Sequence, residues 1–378
     1  MTDSSKNVAI IGAGIVGASA AFYLSKQFGD QLDIYDEGKG QATSAAAGII
    51  CPWLSLRRNK KWYKLVKNGA AMYPDFLKEA GVTHQDTAIY ENNGVIVFKK
   101  SPEKLADLFE RAKKRREDAP EIGELKQLSA EGIRAMVPIY EGNSPGLFVS
   151  GASRVDGKLL VSHLIKQVKE NGANVFPNRA QLSLGTEKKY RVKTEQTSRE
   201  YDQVILAAGA WLPFLLKPFG YQVDVHAQKG QLAELTLPYP ESGNWPVVMP
   251  EGEMDIIFFP DGKTFIGASH ENPKEYDLTV EKSVLEPMVE EAANFFSSQL
   301  KAPSYVDYRV GTRAYTSDFS SFMGEVPDMP DLYTASGLGS TGLTAGPLVG
   351  KILSQLVLRE EPDLPLTDYP VKQYITKK

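Results

Sequence analysis

Glycine spacing near the start of the chain is tied most directly to a chemistry. The run Val8-Ala9-Ile10-Ile11-Gly12-Ala13-Gly14-Ile15-Val16-Gly17 puts its glycines where an apolar strand turns into a helix. Gly12 permits the tight turn, Gly14 lets backbone approach a pyrophosphate, and Gly17 lets the helix pack on the strand. Ile15 and Val16 open that helix, whose unpaired N–H groups and positive dipole end suit phosphate. A second strand follows and closes on acids that accept hydrogen bonds from ribose hydroxyls. Asp36, twenty-four residues after Gly12, is the better placed and Glu37 the second. These residues predict a dinucleotide site and leave the dinucleotide open.

Further segments point to a flavin. Ala42-Thr43-Ser44-Ala45-Ala46-Ala47-Gly48-Ile49-Ile50 lets the chain run against a ligand, and Thr43 and Ser44 can donate to phosphate. Val204-Ile205-Leu206-Ala207-Ala208-Gly209-Ala210-Trp211 ends an apolar strand in small residues. Ser336-Gly337-Leu338-Gly339-Ser340-Thr341-Gly342-Leu343-Thr344 is a turn opening the last long helix. A helix N-terminus aimed at the flavin pyrimidine would stabilise the negative charge of the reduced ring. The expected cofactor contacts are therefore Gly12, Gly14, Ile15, Val16, Gly17, Asp36, Glu37, Ala42, Thr43, Ser44, Ala47, Gly48, Ile49, Gly209, Gly339, Ser340, Thr341, Gly342, Leu343 and Thr344.

With these motifs in order, together with Lys229-Gly230-Gln231, Pro260-Asp261-Gly262, Ile266-Gly267-Ala268-Ser269 and Gly311-Thr312-Arg313, nearly the whole chain resembles the D-amino-acid oxidase family of FAD-dependent oxidoreductases, and within it the glycine oxidases. The resemblance implies FAD held extended in a Rossmann-like domain, with substrate between the flavin and an antiparallel sheet. It also implies an arginine on a late strand that grips the substrate carboxylate, and Arg313 stands at that position. A planar guanidinium fork would fix the substrate carbon toward flavin N5. The implied reaction is hydride transfer from the carbon bearing an amine, in a small amino acid or secondary amine, with oxygen or another electron acceptor.

Departures from the family pattern affect the substrate side. Where relatives carry a second arginine this chain has Ser340, with Leu338 two residues earlier. Arg309, four residues before Arg313, is a candidate replacement; strand alternation puts both on one face without saying which face. Asp261 stands where relatives have arginine. Phe258 and Phe259 replace a tyrosine hydroxyl, hinting at a more apolar pocket. Relatives with covalent flavin use a late-strand cysteine and a lysine near N5; this chain has Phe265 two residues before Gly267 and no cysteine there, so non-covalent FAD is expected. Cys51 follows the flavin-side loop and reads equally as a pocket residue or a small buried hydrophobe. His84, His163, His226 and His270 share no ligand spacing, so no metal is expected.

Positioning these residues takes an α/β (α+β) fold in which the FAD-binding Rossmann-like domain and an antiparallel-sheet substrate domain interleave. Residues 1–55, 147–213 and 320–378 are assigned to the first, and 56–146 and 214–319 to the second. Helical apolar spacing covers Lys60–Ala80, Pro102–Glu117 and Leu159–Asn171, and a hairpin of Thr87–Tyr90 with Gly94–Phe98 is expected around Asn92-Asn93-Gly94. The 378 residues suffice for two domains, 42% apolar and 24% charged residues are ordinary for a globular protein, and a net charge of −4 argues against nucleic acid. The basic run Lys113–Arg116 reads as a solvated helix face. The polar stretch Met1–Asn7 shows no secretory signal, and no apolar stretch is long enough to span a membrane. The expected compartment is the cytoplasm, the partner a small molecule, and a homo-oligomer is compatible with all of this. Competing readings are a flavoenzyme for 2-hydroxy acids, an NAD-dependent dehydrogenase, and a non-catalytic flavin-binding or tRNA-associated module.

Overall fold

Val8–Ile11 shows no polar alternation because both its faces are covered. All its residues are buried, the pattern of an interior strand in a parallel sheet. The computed structural model describes residues 6–252, 254–272 and 276–377, so most of the polar Met1–Asn7 stretch lies outside the described residues. Val8–Ile11 is central to a six-stranded sheet ordered Phe322–Glu325, Leu332–Ser336, Gln203–Leu206, Val8–Ile11, Leu32–Tyr35, Asn174–Phe176. Neighbours run parallel except Phe322–Glu325, an antiparallel edge strand that the sequence reading omits. No period-2 pattern marks it, since Phe322, Met323 and Gly324 are all buried.

The helix Ile15–Phe28 packs on the C-terminal helix Gly342–Val357 at backbone distance. A Cβ on Gly346 would sit 2.5 Å from Ile15 Cγ2, and one on Gly350 would sit 2.6 Å from Ser19 Cβ and from Val16 O. The helix Lys60–Glu79 approaches as closely: a Cβ on Gly69 would fall 2.4 Å from Thr344 O, and Tyr73 donates its hydroxyl to Leu343 O at 2.6 Å. Small residues thus fix the turn that begins the last helix, a placement that longer side chains would prevent.

The other large sheet has eight strands, ordered Tyr305–Tyr315, His226–Thr236, Lys263–Gly267, Asp255–Phe258, Val247–Met249, Val95–Phe98, Gly146–Val149, Leu125–Leu128. It is antiparallel apart from the pairing of Val247–Met249 with Val95–Phe98. Alternation divides its residues. Leu232, Ile257 and Phe265 join the core shared with the dinucleotide-side helices. Ala233, Ile256, Phe258 and Ile266 pack instead with Ala292, Ala293 and Phe296, on and just beyond the helix Lys282–Phe295. Gly146–Val149 belongs to this sheet, and we propose that a division along the two sheets falls after Val149 rather than before Leu147. No helix among the described residues is long and apolar enough to cross a membrane.

The hairpin expected around Asn92-Asn93-Gly94 does not form. Tyr90–Glu91 pairs with Ser153–Val155, which also pairs with Ile49–Ile50, whereas Val95–Phe98 joins the eight-stranded sheet. Long-range bonds explain the crossing. Asn92 Nδ2 donates to Gly151 O and Ala152 O at 3.0 Å, Gly94 N donates to Ala152 O at 3.0 Å, and Asn93 Nδ2 donates to Trp245 O. The turn residues are held outward by distant carbonyls, so the chain passes from one sheet to the other.

Gly350→Val should force the two helices apart and destabilise the protein by about 1–3 kcal/mol, lowering Tm by several degrees in a thermal scan. Gly132→Ala, at a half-buried position of the helix Ala130–Met136 where an added Cβ would meet nothing closer than 3.5 Å, is the control and should leave Tm unchanged or raise it. An unchanged Tm for Gly350→Val would show that the helices do not need this approach.

Candidate active site

Gly12 turns the first strand with φ +102° against the chain that leaves Gln203–Leu206, and a Cβ there would lie 2.3 Å from Ala207 O. A Cβ on Gly17 would lie 1.8 Å from Gly12 O, so the helix start packs on the turn as the glycine pattern predicts. Gly14 leaves the helix without a side-chain cap, and Ile15 N donates to Thr43 Oγ1 at 3.0 Å. Asp36 braces the same turn: its carboxylate accepts from Ala13 N, from Gly38 N and, at 3.0 Å, from Gln41 Nε2.

Above these residues lies a cavity of about 640 Å³, a size typical of cofactor sites. Its walls carry Gly12, Gly14, Ile15, Val16, Asp36, Glu37, Ala42, Thr43, Gly209, Gly339 and Gly342, together with Tyr35, Asn178, Arg179, Trp211 and Phe214. Asn178 and Arg179 were not expected. They follow Asn174–Phe176, and the rule that ligands sit beyond the carboxyl ends of parallel strands would have found them. A second cavity of about 410 Å³ shares Ala42, Thr43, Gly339 and Gly342 with the first. It brings together Ala47, Gly48, Ile49, Ser340, Thr341, Leu343 and Thr344 with Cys51, Trp62, Gly230, Met249, Asp255, His270 and Arg313. Two expected contacts stay off both walls. Gly17 is under the turn, and the Ser44 hydroxyl donates to Gln41 Oε1 at 3.0 Å.

These walls fit a dinucleotide flavin. Glycines leave backbone bare where a Cβ would collide, and two helix starts, at Ile15 and at Gly342, lack side-chain caps on the Gly14 and Thr341 sides. The turn Gly339–Thr341 is held from both sides. Ser340 N donates to Tyr315 Oη at 3.1 Å, and Trp62 Nε1 donates to Thr341 Oγ1 at 3.4 Å.

The late strand separates its two arginines. Arg313 Nη1 donates to Ser269 O at 2.8 Å and Gln228 Oε1 at 3.3 Å, and the guanidinium lies over Gly230, where a Cβ would come 2.7 Å from Cζ. Arg309 does not face the second cavity and is no second anchor. Its Nε donates to Glu234 at 2.7 Å and its Nη atoms to Asp156 at 3.1 and 3.2 Å, with Lys263 Nζ 2.7 Å from the same carboxylate. Burial alone would push Asp156 up, but the Arg309 hydrogen bonds and the charges of Arg309 and Lys263 hold it below the usual carboxylate range.

Substitution of the tyrosine position does not make this pocket apolar. Phe258 faces away, packed on Trp245, and Phe259 lies against Phe265. The cavity instead receives the Asp255 carboxyl, pushed up to about 7 by burial, and the Cys51 thiol, pushed up to about 12 by burial and by Asp255. Asp255 was missed because no motif marks it within a stretch, residues 223–266, that reads only as strand-rich and punctuated by Gly and Pro. Only the phase of the strand that follows turns it inward.

A family model described as FAD-dependent oxidoreductase (DAO) matches residues 7–356. An uncharacterized oxidoreductase of Bacillus subtilis (strain 168), YurR, is 38% identical over 96% of this chain and 98% of its own length. The crystal structure of iminodiacetate oxidase from Chelativorans sp. BNC1 superposes with a TM-score of 0.88 and 30% identity, over 96% of this chain and 98% of the other. Glycine oxidase of Geobacillus kaustophilus (strain HTA426) is 24% identical over 98% of both chains.

Because the fold raises the Asp255 carboxyl above its unfolded value, its contribution to stability is present below the ordinary carboxylate range and is lost as pH rises toward 7. Asp255→Asn removes that loss. Thermal scans of the ligand-free protein should show the variant more stable than wild type at about pH 8 by about 2 °C or more, with a smaller difference at about pH 4. Equal differences at the two pH values would contradict the burial of an ionisable carboxyl here.

Proposed function

We propose, for a chain that belongs to the DAO family of FAD-dependent oxidoreductases, that it oxidises the C–N bond of a small amino acid or N-substituted amino acid. The observation that carries this reading is Arg313, whose guanidinium lies over Gly230 on the wall of the cavity that also contains the Gly339–Thr344 turn. Relatives named as iminodiacetate oxidase and glycine oxidase support the substrate class. FAD, when bound, supplies the acceptor for a hydride from the carbon bearing the amine.

The chain's own residues supply position and electrostatics. Gly12, Gly14 and the start of the helix Ile15–Phe28 would take the pyrophosphate, and Asp36 the ribose hydroxyls. The Gly339–Thr344 turn and the uncapped start of the last helix would face the flavin ring and favour negative charge there. Arg313 would hold the substrate carboxylate as a planar fork. Trp62, Met249 and Ile49 line the same space and restrict water. Ser340 offers no second cationic anchor, so one carboxylate is the expected limit. The proposed compartment is the cytoplasm, with a small-molecule substrate and with oxygen or another redox partner as final acceptor.

Arg313→Ala should raise KM for a carboxylated amine by about 10- to 100-fold, the value of a charge-assisted pair, while the yellow flavin spectrum stays intact. Loss of flavin with unchanged turnover per remaining flavin would refute this role. Anaerobic bleaching by a panel of D-, L- and N-methylated amino acids and 2-hydroxy acids, followed by air, identifies substrate class and acceptor; bleaching by hydroxy acids alone would overturn the amine assignment.

The strand Lys263–Gly267 carries no cysteine, and burial pushes the Cys51 thiol up to about 12, so it is protonated at neutral pH. Acid precipitation should therefore leave the yellow colour in the supernatant. A yellow pellet would mean a covalent link.

A further inference from the structure

The cavity that Arg313 lines also holds a carboxylate that no described residue neutralises. Asp255 opens the strand Asp255–Phe258, and its carboxyl makes no hydrogen bond or ion pair among the described residues. The buried acid that meets this face of the sheet from the cap of the helix Gly157–Glu170, Asp156, is matched by Arg309 and Lys263. An unpaired carboxyl facing an enclosed space asks for a cation from outside, since burial without a partner penalises the ionised form.

Sheet register sets the span between the two groups. Asp255 pairs with Gly267, Gly267 with Leu232, and Leu232 with Arg309, while Arg313 pairs with Gln228. The Arg313 guanidinium reaches back over Gly230, which leaves two strand spacings and two residues between it and Asp255. Strand geometry makes the gap between the two charged heads on the order of 10 Å. A carboxylate and an amine on one carbon, with an ion pair at each end, occupy about that length. The other titratable groups on the wall are Cys51, from the loop after Ile49–Ile50, and His270, beyond Lys263–Gly267.

We propose that Asp255 receives the substrate amine: it pairs with the ammonium of an amino acid whose carboxylate lies on Arg313 and takes one proton from it. An N–H bond breaks with its electron pair kept on nitrogen, and an O–H bond forms on Asp255. The amine so freed can stabilise the adjacent carbon when that carbon gives up hydride, which a protonated amine cannot do. This rests on the reading of Arg313 as the carboxylate anchor. It selects amines over 2-hydroxy acids, and single carboxylates over dicarboxylates, whose second charge would meet Asp255.

The test uses the FAD-loaded protein and an unreactive pair of ligands. 2-Aminoisobutyrate has no hydrogen on its α-carbon, and trimethylacetate is its isostere without the ammonium; each is titrated by the change in flavin absorbance. Wild type should prefer 2-aminoisobutyrate by about tenfold or more at about pH 8.5, and the preference should shrink at about pH 6, where Asp255 takes a proton. Asp255→Asn should bind both ligands within about threefold at either pH, with trimethylacetate affinity undiminished as proof of an intact site. In the same variant the pH limb of anaerobic flavin reduction by substrate should move from near neutrality to the amine's own alkaline ionisation.

A wild type that binds both ligands alike, or an Asp255→Asn variant that keeps the preference, overturns the proposal. Arg313→Ala keeps the outcomes distinct. If it abolishes trimethylacetate binding while the Asp255 arm fails, only this inference falls. If trimethylacetate binding is untouched by Arg313→Ala, or neither ligand binds wild type, the carboxylate anchor falls too.

Discussion

Everything at the site depends on a contact that contains no side chain. Gly12 turns against Ala207 O at a distance where a Cβ cannot fit, and Gly17 lies equally close to Gly12. That approach joins the end of Val8–Ile11 to the end of Gln203–Leu206, about two hundred residues away in sequence. The same economy of volume continues outward, because Gly346 and Gly350 bring the last helix onto Ile15–Phe28 and so carry the Gly339–Thr344 turn to the cavity edge. Bare backbone is rigid and cannot retreat as a flexible side chain can. The converging segments therefore meet with their relative positions already set.

Charge is handled in opposite ways on the inner face of the eight-stranded sheet. Arg309, Lys263, Glu234 and Asp156 form a satisfied cluster that also caps the helix Gly157–Glu170 through Asp156 and reaches Ser44 O through Arg309. This cluster ties the sheet to the small-residue loop at the dinucleotide side. Breaking it by removing one partner would leave a buried charge unmatched. Asp255, on the same face, has no such match among the described residues. A group that costs stability where it stands is expected at a functional position rather than in scaffolding.

Arg309 and Arg313 show how little residue type alone decides. Both are arginines on one strand, four residues apart and on one face. Arg309 meets carboxylates supplied by a neighbouring strand and by a distant helix cap, whereas Arg313 donates to Ser269 O and Gln228 and lies over a glycine on the cavity wall. The glycine matters as much as the arginine: a side chain at position 230 would displace the guanidinium.

From its own order of residues the chain determined the dinucleotide turn, the acid that closes the second strand and the strand–helix alternation, whereas the late-strand arginine was marked out by the family resemblance. Those features follow from local rules, since a glycine turn, a buried parallel strand and a helix start are properties of a few consecutive residues. Tertiary structure decided the rest. It sent Asn92 and Asn93 to distant carbonyls instead of a hairpin, gave Arg309 to Asp156, turned Phe258 away from the cavity, and brought Asp255 into it. In each case the partner comes from a remote part of the chain. Sequence periodicity names a face, but only packing says what that face meets.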